Sequence, residues 1–190
     1  MKKEIIFLTS NQDKINSARE VFKDYPELAL NTQKVDVPEI QSMNVCEVAE
    51  YSVRCACEKL NAPVFKVDCG YYFEGLNGFP GALVKYFDKS ISSEDLITLL
   101  NGKSKKVTVR ECLSYCEPGN DPISFSAELE ATIAGRPEGE GGNIDKLIVY
   151  EGFDKPQAAC DYDKIVAYWN EKLTHYKDFA DYLTGKIKTG

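Results

Sequence analysis

The first part of the chain restricts the possible folds most strongly, because an apolar strand there is followed, after a short polar segment, by a helix. Residues 3–9 form the strand by pattern, and Ile15, Ala18 and Phe22 then recur at the spacing of one helix face as far as about Lys23. The polar segment TSNQDK separates the two elements. A strand followed at once by a helix is typical of α/β proteins, whose helices cover the faces of a sheet.

The same alternation continues along the chain and predicts a mixed α/β fold. Two apolar stretches are joined by the turn PGNDP and predict a β-hairpin. No internal repeat and no linker interrupts the pattern, so we expect one domain over residues 1–190. The further predicted strands are 28–36, 64–68, 105–117, 123–135 and 146–152, the further helices are 45–60, 92–102 and the tail from about Asp161, and residues 69–87 and 136–142 are predicted glycine-rich loops.

The composition argues against two functional classes. A net charge of −7 and a pI near 4.9 leave no basic field to attract a nucleic-acid polymer. Hydrophobic residues make up 43% of the chain, yet no apolar run approaches the ~18 residues of a membrane span. The N-terminal segment MKKEIIFL has too short an apolar run for a signal-peptide core, so we expect a cytoplasmic protein.

The chain contains seven cysteines, which we interpret as reduced thiols, mostly buried, because no secretory signal accompanies them. The pairs Cys55/Cys57 and Cys112/Cys116 lack the CxxC spacing of zinc sites, and His175 is the only histidine. A closed structural zinc site needs four sulfur or nitrogen ligands, so we do not expect one.

The segment after the first strand suits two roles, a helix cap and a binding site for phosphate. Thr9, Ser10 and Asn11 carry the small polar side chains that cap helices. The free amides and the dipole at a helix N-terminus also attract anions. Lys14 lies in the first turn, where it opposes the dipole, so an anionic partner explains it better than helix stability does. The segment by itself leaves both roles open.

Acidic residues follow two of the predicted strands. Glu39 comes after the second strand, and Asp68 ends the third, directly before a tight turn at Cys69–Gly70. Carboxylates at strand ends suit Mg²⁺, which usually takes one or two of them together with substrate phosphates. The alternative for each residue is an exposed acid without a function.

The aromatic, glycine-rich stretch that follows adds a positive charge and rings. Lys85 offers a charge for phosphate, and Tyr86 and Phe87 offer faces for a base, although such rings also pack in cores. Lysines, acids, glycine-rich loops and rings together predict a metal-assisted reaction on a nucleoside polyphosphate. The chain has neither a Walker lysine loop nor the G-x-S-x-G motif of serine hydrolases.

Taken in chain order, these segments resemble the inosine triphosphate pyrophosphatase (ITPase) family, which removes non-standard purine nucleotides. The resemblance covers about residues 4–180 and implies an elongated, two-lobed α/β molecule with a central mixed sheet, a cleft between the lobes and a homodimer. The matching segments are Thr9-Ser10-Asn11 with Lys14 (family T-G-N-x-x-K), Val37-Pro38-Glu39, Asp68 to Gly81, Lys85 with Tyr86, and Gly135 to Gly142.

The chain also departs from the family pattern. Ser17 and Val67 stand where the family often has acids, and Ser52 stands where it has a lysine. The resemblance assigns base binding to Tyr86, Asp145, Thr174, His175 and Tyr176, and Tyr176 replaces the arginine that meets the purine's exocyclic oxygen. The phosphate and metal elements are thus partly kept while the base-reading elements differ, which predicts a changed base preference.

We therefore predict a Mg²⁺-dependent pyrophosphatase that converts a nucleoside triphosphate into a monophosphate and pyrophosphate. Asp68 would orient or deprotonate the attacking water, and Glu39 would help it to hold the metal. Thr9, Ser10, Asn11, Lys14 and Lys85 would bind the phosphates. One alternative is a nucleotide-binding sensor on the same fold that has lost catalysis, and another is a hydrolase of a different nucleotide phosphate.

Overall fold

Seven strands form one mixed sheet in the computed structural model, which describes residues 2–188. The order is β2-β1-β3-β5-β6-β7, with β4 on the edge of β3. Strands β1, β2 and β3 are parallel, and the other pairs are antiparallel. The strands are β1 Lys3–Phe7, β2 Leu28–Thr32, β3 Val64–Phe73, β4 Pro80–Gly81, β5 Lys106–Cys116, β6 Ile123–Ile133 and β7 Ile148–Tyr150. The helices are α1 Gln12–Phe22, α2 Val45–Leu60, α3 Val84–Ser90, α4 Ser93–Leu99, α5 Tyr162–Lys172 and α6 His175–Leu183.

The mixed α/β prediction is confirmed, and most element bounds agree with the sequence pattern. The predicted helix over 45–60 begins and ends at the expected residues. The predicted glycine-rich loop over 69–87 is wrong at both ends, because β3 continues to Phe73 and α3 begins at Val84. The strand continues because its second half pairs with Val107–Arg110 of β5, a contact that local sequence does not reveal.

Two large apolar clusters lie at opposite ends of the long strands β3, β5 and β6. One cluster packs α1 and α6 against one end, with Phe7, Phe65 and Phe179 fully buried. The other packs α4 and α5 against the opposite end, around Phe73 and Leu147. These clusters form the cores of the two lobes that the family resemblance implies, and the middle of the strands lies between them.

One edge of β3 lacks a strand partner in its middle. The pairing with β1 ends at Phe65, and the pairing with β4 begins at Tyr71, so within residues 2–188 no strand pairs with 66–70 on this side. Unpaired backbone groups in a buried position need other partners. Along this gap, backbone groups and side chains of residues 66–70 are therefore available to contact other parts of the chain or a ligand.

The loop after β6 is held close to the chain before α5. Gly139 has a positive φ of 82°, and a Cβ placed there would lie 2.0 Å from the carbonyl oxygen of Ala158. Glycine is the residue that tolerates this backbone conformation and this approach. Gly142 in the same loop is packed less tightly, since a Cβ there would lie 3.0 Å from carboxylate oxygens of both Asp88 and Asp145.

The cysteines differ partly from expectation. Cys46 of α2 and Cys112 of β5 form a disulfide with a Cα–Cα distance of 5.4 Å, so the prediction of uniformly reduced thiols is wrong for this pair. The residues are distant in sequence, and their spacing gave no sign of the contact. Cys57 and Cys116 are free and buried, as expected, whereas the free thiols of Cys55, Cys69 and Cys160 are partly exposed, so the expectation of mostly buried cysteines is wrong. Over residues 2–188, no helix is long and apolar enough to cross a membrane.

We predict that Gly139→Ala destabilises the protein while Gly135→Ala does not. Alanine at 139 would combine an unfavourable positive φ with a backbone clash, so the free energy of unfolding should fall by about 2 kcal/mol or more. A Cβ at Gly135 meets no described atom within 4 Å, which makes it the matched control. Urea denaturation of both variants measures the difference, and equal midpoints would contradict the described loop packing.

Candidate active site

A cleft of about 580 Å³ opens along the unpaired stretch of β3. It lies between the two lobes and brings together residues that are far apart in sequence. Of the predicted site residues, the cleft is lined by Asn11, Lys14, Glu39, Asp68, Lys85, Tyr86 and Asp145.

Lys14 connects α1 to the unpaired edge of β3. Its Nζ donates a hydrogen bond of 2.7 Å to the carbonyl oxygen of Val67. Asn11 is the N-cap of α1, and its Oδ1 accepts hydrogen bonds from the amides of Asp13 and Lys14. The capping role that the sequence left open is therefore present, and the same turn places a lysine ammonium beside the cleft.

Two carboxylates that line the cleft, those of Glu39 and Asp68, share a third charged partner, the ammonium of Lys66. The Nζ of Lys66 lies 3.0 Å from Oδ2 of Asp68 and 3.1 Å from Oε1 of Glu39. Lys66 and Asp68 lie two residues apart on β3 and therefore on the same face of the strand. Burial by itself lowers the pKa of Lys66, but the two carboxylates outweigh it and raise the pKa, so the side chain is a cation.

The two carboxylates have room for a further ligand. Oδ2 of Asp68 is buried and, within residues 2–188, has no hydrogen-bond donor aligned on it, although Lys66 lies at ion-pair distance. The side chain of Glu39 is 60% exposed. In the part of the chain that the structure describes, no group of three or more His, Cys, Asp or Glu side chains could hold a metal. A pair of hard oxygen ligands fits Mg²⁺, which completes its shell with water and phosphate oxygens.

Lys85 and Tyr86 border the opposite wall of the cleft from α3. Both are exposed, Tyr86 by 66% of its residue surface, so neither belongs to the core. Phe87 instead packs edge-on against Phe73 and Phe79, which is the core role considered for it. Helix α3 thus presents a positive charge and an aromatic face to the cleft.

Asp145 reaches the cleft from the loop after β6. Its Oδ2 accepts a hydrogen bond of 3.2 Å from the amide of Gly142, and its Oδ1 lies 3.4 Å from the donating Nε2 of Gln157. Asp88 binds the same loop, because its Oδ1 accepts a 2.7 Å hydrogen bond from the amide of Ile144. Burial raises the pKa of Asp145, the Gly142 amide opposes this, and the neighbouring Asp88 adds to the rise.

Five predicted site residues do not line this cleft. Ser10 is exposed on the turn before α1, and Thr9 uses its hydroxyl to accept a hydrogen bond from the amide of Asn11. Thr174 is exposed, and its hydroxyl donates to the carboxylate of Asp178. The remaining two, His175 and Tyr176, are buried at the start of α6.

His175 and Tyr176 face a charged residue that the sequence did not single out. Nε2 of His175 lies 3.3 Å from Oε2 of Glu111, and the histidine side chain is 0% exposed. Tyr176 lines a neighbouring cavity of about 170 Å³ together with Glu111, Asn11 and Lys14. Burial raises the pKa of Glu111, but His175 and Lys14 outweigh it, so the net pKa is lowered. The cleft thus continues past Lys14 into a small acidic side cavity.

Sequence reasoning missed Lys66, Asp88 and Glu111. For Lys66 a signal existed, because a lysine two residues before a candidate catalytic acid on a strand must share its face. Asp88 and Glu111 carried no such signal. Their positions depend on the loop after β6 and on α6, which approach them only in the folded chain.

An α/β sheet with a charged cleft beside a strand-to-helix turn is typical of proteins that bind phosphate-containing ligands. A model of the Ham1 family matches residues 5–165. A dITP/XTP pyrophosphatase from Methanopyrus kandleri is 35% identical over 155 residues, or 80% of this chain and 81% of that protein. Another from Thermococcus kodakarensis is 30% identical over 190 residues, covering 97% of this chain and 99% of the relative.

Solved structures agree with the fold. A HAM1 protein from Coxiella burnetii has a TM-score of 0.80 at 20% identity, covering 97% of this chain and 100% of that one. The Ham1 protein of Staphylococcus aureus has a TM-score of 0.73 at 24% identity, with coverage of 97% and 100%. The chain belongs to the Ham1 family, and the predicted membership of the ITPase family is confirmed.

We predict that Asp145→Asn changes how stability depends on pH. Because the folded protein raises the pKa of Asp145 above its ordinary 3.8, the folded state binds more protons than the unfolded state just above that pH. The free energy of unfolding therefore carries a penalty that grows as pH rises through the raised pKa. Asparagine does not titrate, so the stability of the variant relative to wild type should increase as pH rises from about 4 through the raised pKa and then level off.

Thermal unfolding at several pH values measures this effect. Asp154→Asn removes an exposed acid outside the cleft and serves as the control. Parallel melting-temperature curves for wild type and Asp145→Asn would contradict the described burial of Asp145.

Proposed function

We propose that this protein is a nucleoside triphosphate pyrophosphatase that acts on non-standard nucleotides. Water and the triphosphate would yield the monophosphate and pyrophosphate by cleavage of the α–β phosphoanhydride bond. The observation that carries the proposal is the meeting of Glu39, Asp68, Lys66 and Lys14 along the unpaired edge of β3. Relatives named dITP/XTP pyrophosphatase support the same activity, and enzymes of this kind are hydrolases of phosphoric anhydrides.

Asp68 is the group we assign to the attacking water. Its side chain is 23% exposed, so a water molecule in the cleft can reach the carboxylate. The ammonium of Lys66 restrains one of the carboxylate oxygens. A positioned carboxylate can orient a water molecule and accept its proton as the bond to phosphorus forms. The proton then leaves with solvent, and the departing pyrophosphate takes the electron pair of the broken bond.

The lysines that border the cleft supply charge for the phosphates. Lys14 is fixed by its hydrogen bond to Val67, and Lys85 lies on the opposite wall. Fixed positive groups stabilise the charge that develops on phosphate oxygens during transfer. Mg²⁺, when bound, neutralises phosphate charge, and Glu39 and Asp68 are the residues that would hold it.

We further propose that the preferred base differs from those of dITP and XTP, the substrates in the names of the relatives. Tyr176 occupies the position at which the resemblance expects an arginine, and it is buried, with its hydroxyl 3.5 Å from the carbonyl oxygen of Lys14. It therefore offers no cationic donor to a purine oxygen in the cleft. The exposed ring of Tyr86 and the carboxylate of Asp145 are the base contacts we retain.

A homodimer and a cytoplasmic location stay predictions: the homodimer follows from the family resemblance, and the location follows from the short apolar run at the N-terminus.

We expect pyrophosphate release from at least one member of a nucleotide panel in the presence of Mg²⁺. Asp68→Asn should lower kcat by about 10²–10⁴-fold, the usual contribution of a positioned acid–base group. Asp36→Asn, an exposed acid outside the cleft, is the matched control and should leave kcat unchanged. A pyrophosphate-coupled assay measures both. Undiminished turnover in Asp68→Asn would refute the assignment, and tight calorimetric binding of nucleotide without turnover would favour the sensor alternative.

The base preference has its own readout. A site that hydrogen-bonds its substrate rejects analogues by about 10⁴-fold or more, whereas one that relies on shape discriminates by about 10². We expect kcat/KM for ITP or XTP to exceed that for ATP by less than about 10²-fold. A ratio near 10⁴ would show that the cleft reads the purine oxygen despite Tyr176.

A further inference from the structure

Lys66 is an unusual neighbour for two carboxylates that would hold a metal. Its side chain is only 14% exposed, and its ammonium lies within 3.1 Å of Glu39 and 3.0 Å of Asp68. A third contact comes from α2, where Oγ of Ser52 accepts a hydrogen bond of 3.3 Å from the same Nζ. The ammonium therefore stands where the two carboxylates that would hold a metal converge.

The position is determined by the fold and not by a flexible surface contact. The pleat of β3 puts residues 66 and 68 on the face that α2 covers, and Ser52 is fully buried beneath them. Burying a lysine costs side-chain entropy and hydration, which two carboxylates and a hydroxyl offset here. A buried lysine paired in this way acts as a fixed positive charge.

We propose that Lys66 is a positioning residue that neutralises the Glu39–Asp68 pair in the absence of metal and thereby sets the affinity of the pair for a divalent cation. The proposal rests on the proposed function, in which that pair holds Mg²⁺. Without Lys66 the two carboxylates would repel each other and carry two negative charges. With Lys66 present they stay together, and the three side chains carry a net charge of −1.

The consequence for a metal ion follows from charge. A cation that binds the pair must approach the ammonium, and like charges at this distance oppose each other. Lys66 therefore lowers divalent-metal affinity while it keeps both carboxylates oriented toward the cleft. Loose binding of the metal alone makes the arrival of a phosphate chain, which adds negative charge and oxygen ligands, decisive for loading it.

Lys66→Met tests the proposal, because methionine is similar in length and carries no charge. Mn²⁺ alone is the probe, its free concentration is followed by electron paramagnetic resonance, and no nucleotide is present. A charge at about 4–6 Å changes such equilibria by about tenfold or more, so we expect Lys66→Met to bind Mn²⁺ about tenfold more tightly than wild type. Lys66→Arg keeps the charge and should bind as wild type does. Mg²⁺ should displace Mn²⁺ from all of them.

The matched control is Lys3→Met, which removes a lysine paired with Glu117 far from the cleft and should leave Mn²⁺ affinity unchanged. If Lys66→Met does not fold, Lys66→Gln replaces it with the same expectation. Equal or weaker Mn²⁺ binding by the uncharged variant overturns the proposal, even if its melting temperature changes, because a purely structural lysine would affect stability alone. Since nucleotide is absent, a chain that hydrolyses nothing can still show the shift, so failure of the proposed function is recognised separately.

Discussion

The interrupted pairing along one edge of β3 is the constraint on which the site depends. Strand β1 covers that edge as far as Phe65, and β4 covers it again from Tyr71. Between them the backbone must find partners outside the sheet, and the carbonyl of Val67 finds the ammonium of Lys14. One hydrogen bond thus satisfies a carbonyl within the gap and ties the first helix to the open edge of β3. The cleft is the space that the missing strand would have filled.

The charges at the cleft differ from the charge of the chain as a whole. The protein carries a net charge of −7, yet Lys14, Lys66 and Lys85 come from three different elements to one site. Each is held differently, the first by a carbonyl, the second by two carboxylates, and the third on an exposed helix. The same site also holds the carboxylates of Glu39, Asp68, Asp88 and Asp145, so its charges alternate in sign and do not form a positive field.

Sequence patterns predicted the parts of this molecule that depend on local periodicity. The bounds of α2 follow from apolar spacing, and the strand-to-helix turn at Asn11 follows from capping chemistry. The contacts of Lys66 with Glu39 and of His175 with Glu111 did not follow, because each partner is distant in the chain. Family resemblance assigned roles by position in a motif. It could not show that α6 turns the His175 ring into the protein interior.

The two core clusters have a consequence for how the cleft meets its ligand. They are joined by β3, β5 and β6, which run unbroken from one cluster to the other. Widening the cleft would require bending three hydrogen-bonded strands together, which packed interiors resist. The two core clusters are thus parts of one continuous sheet, and the length of its strands sets the spacing between them.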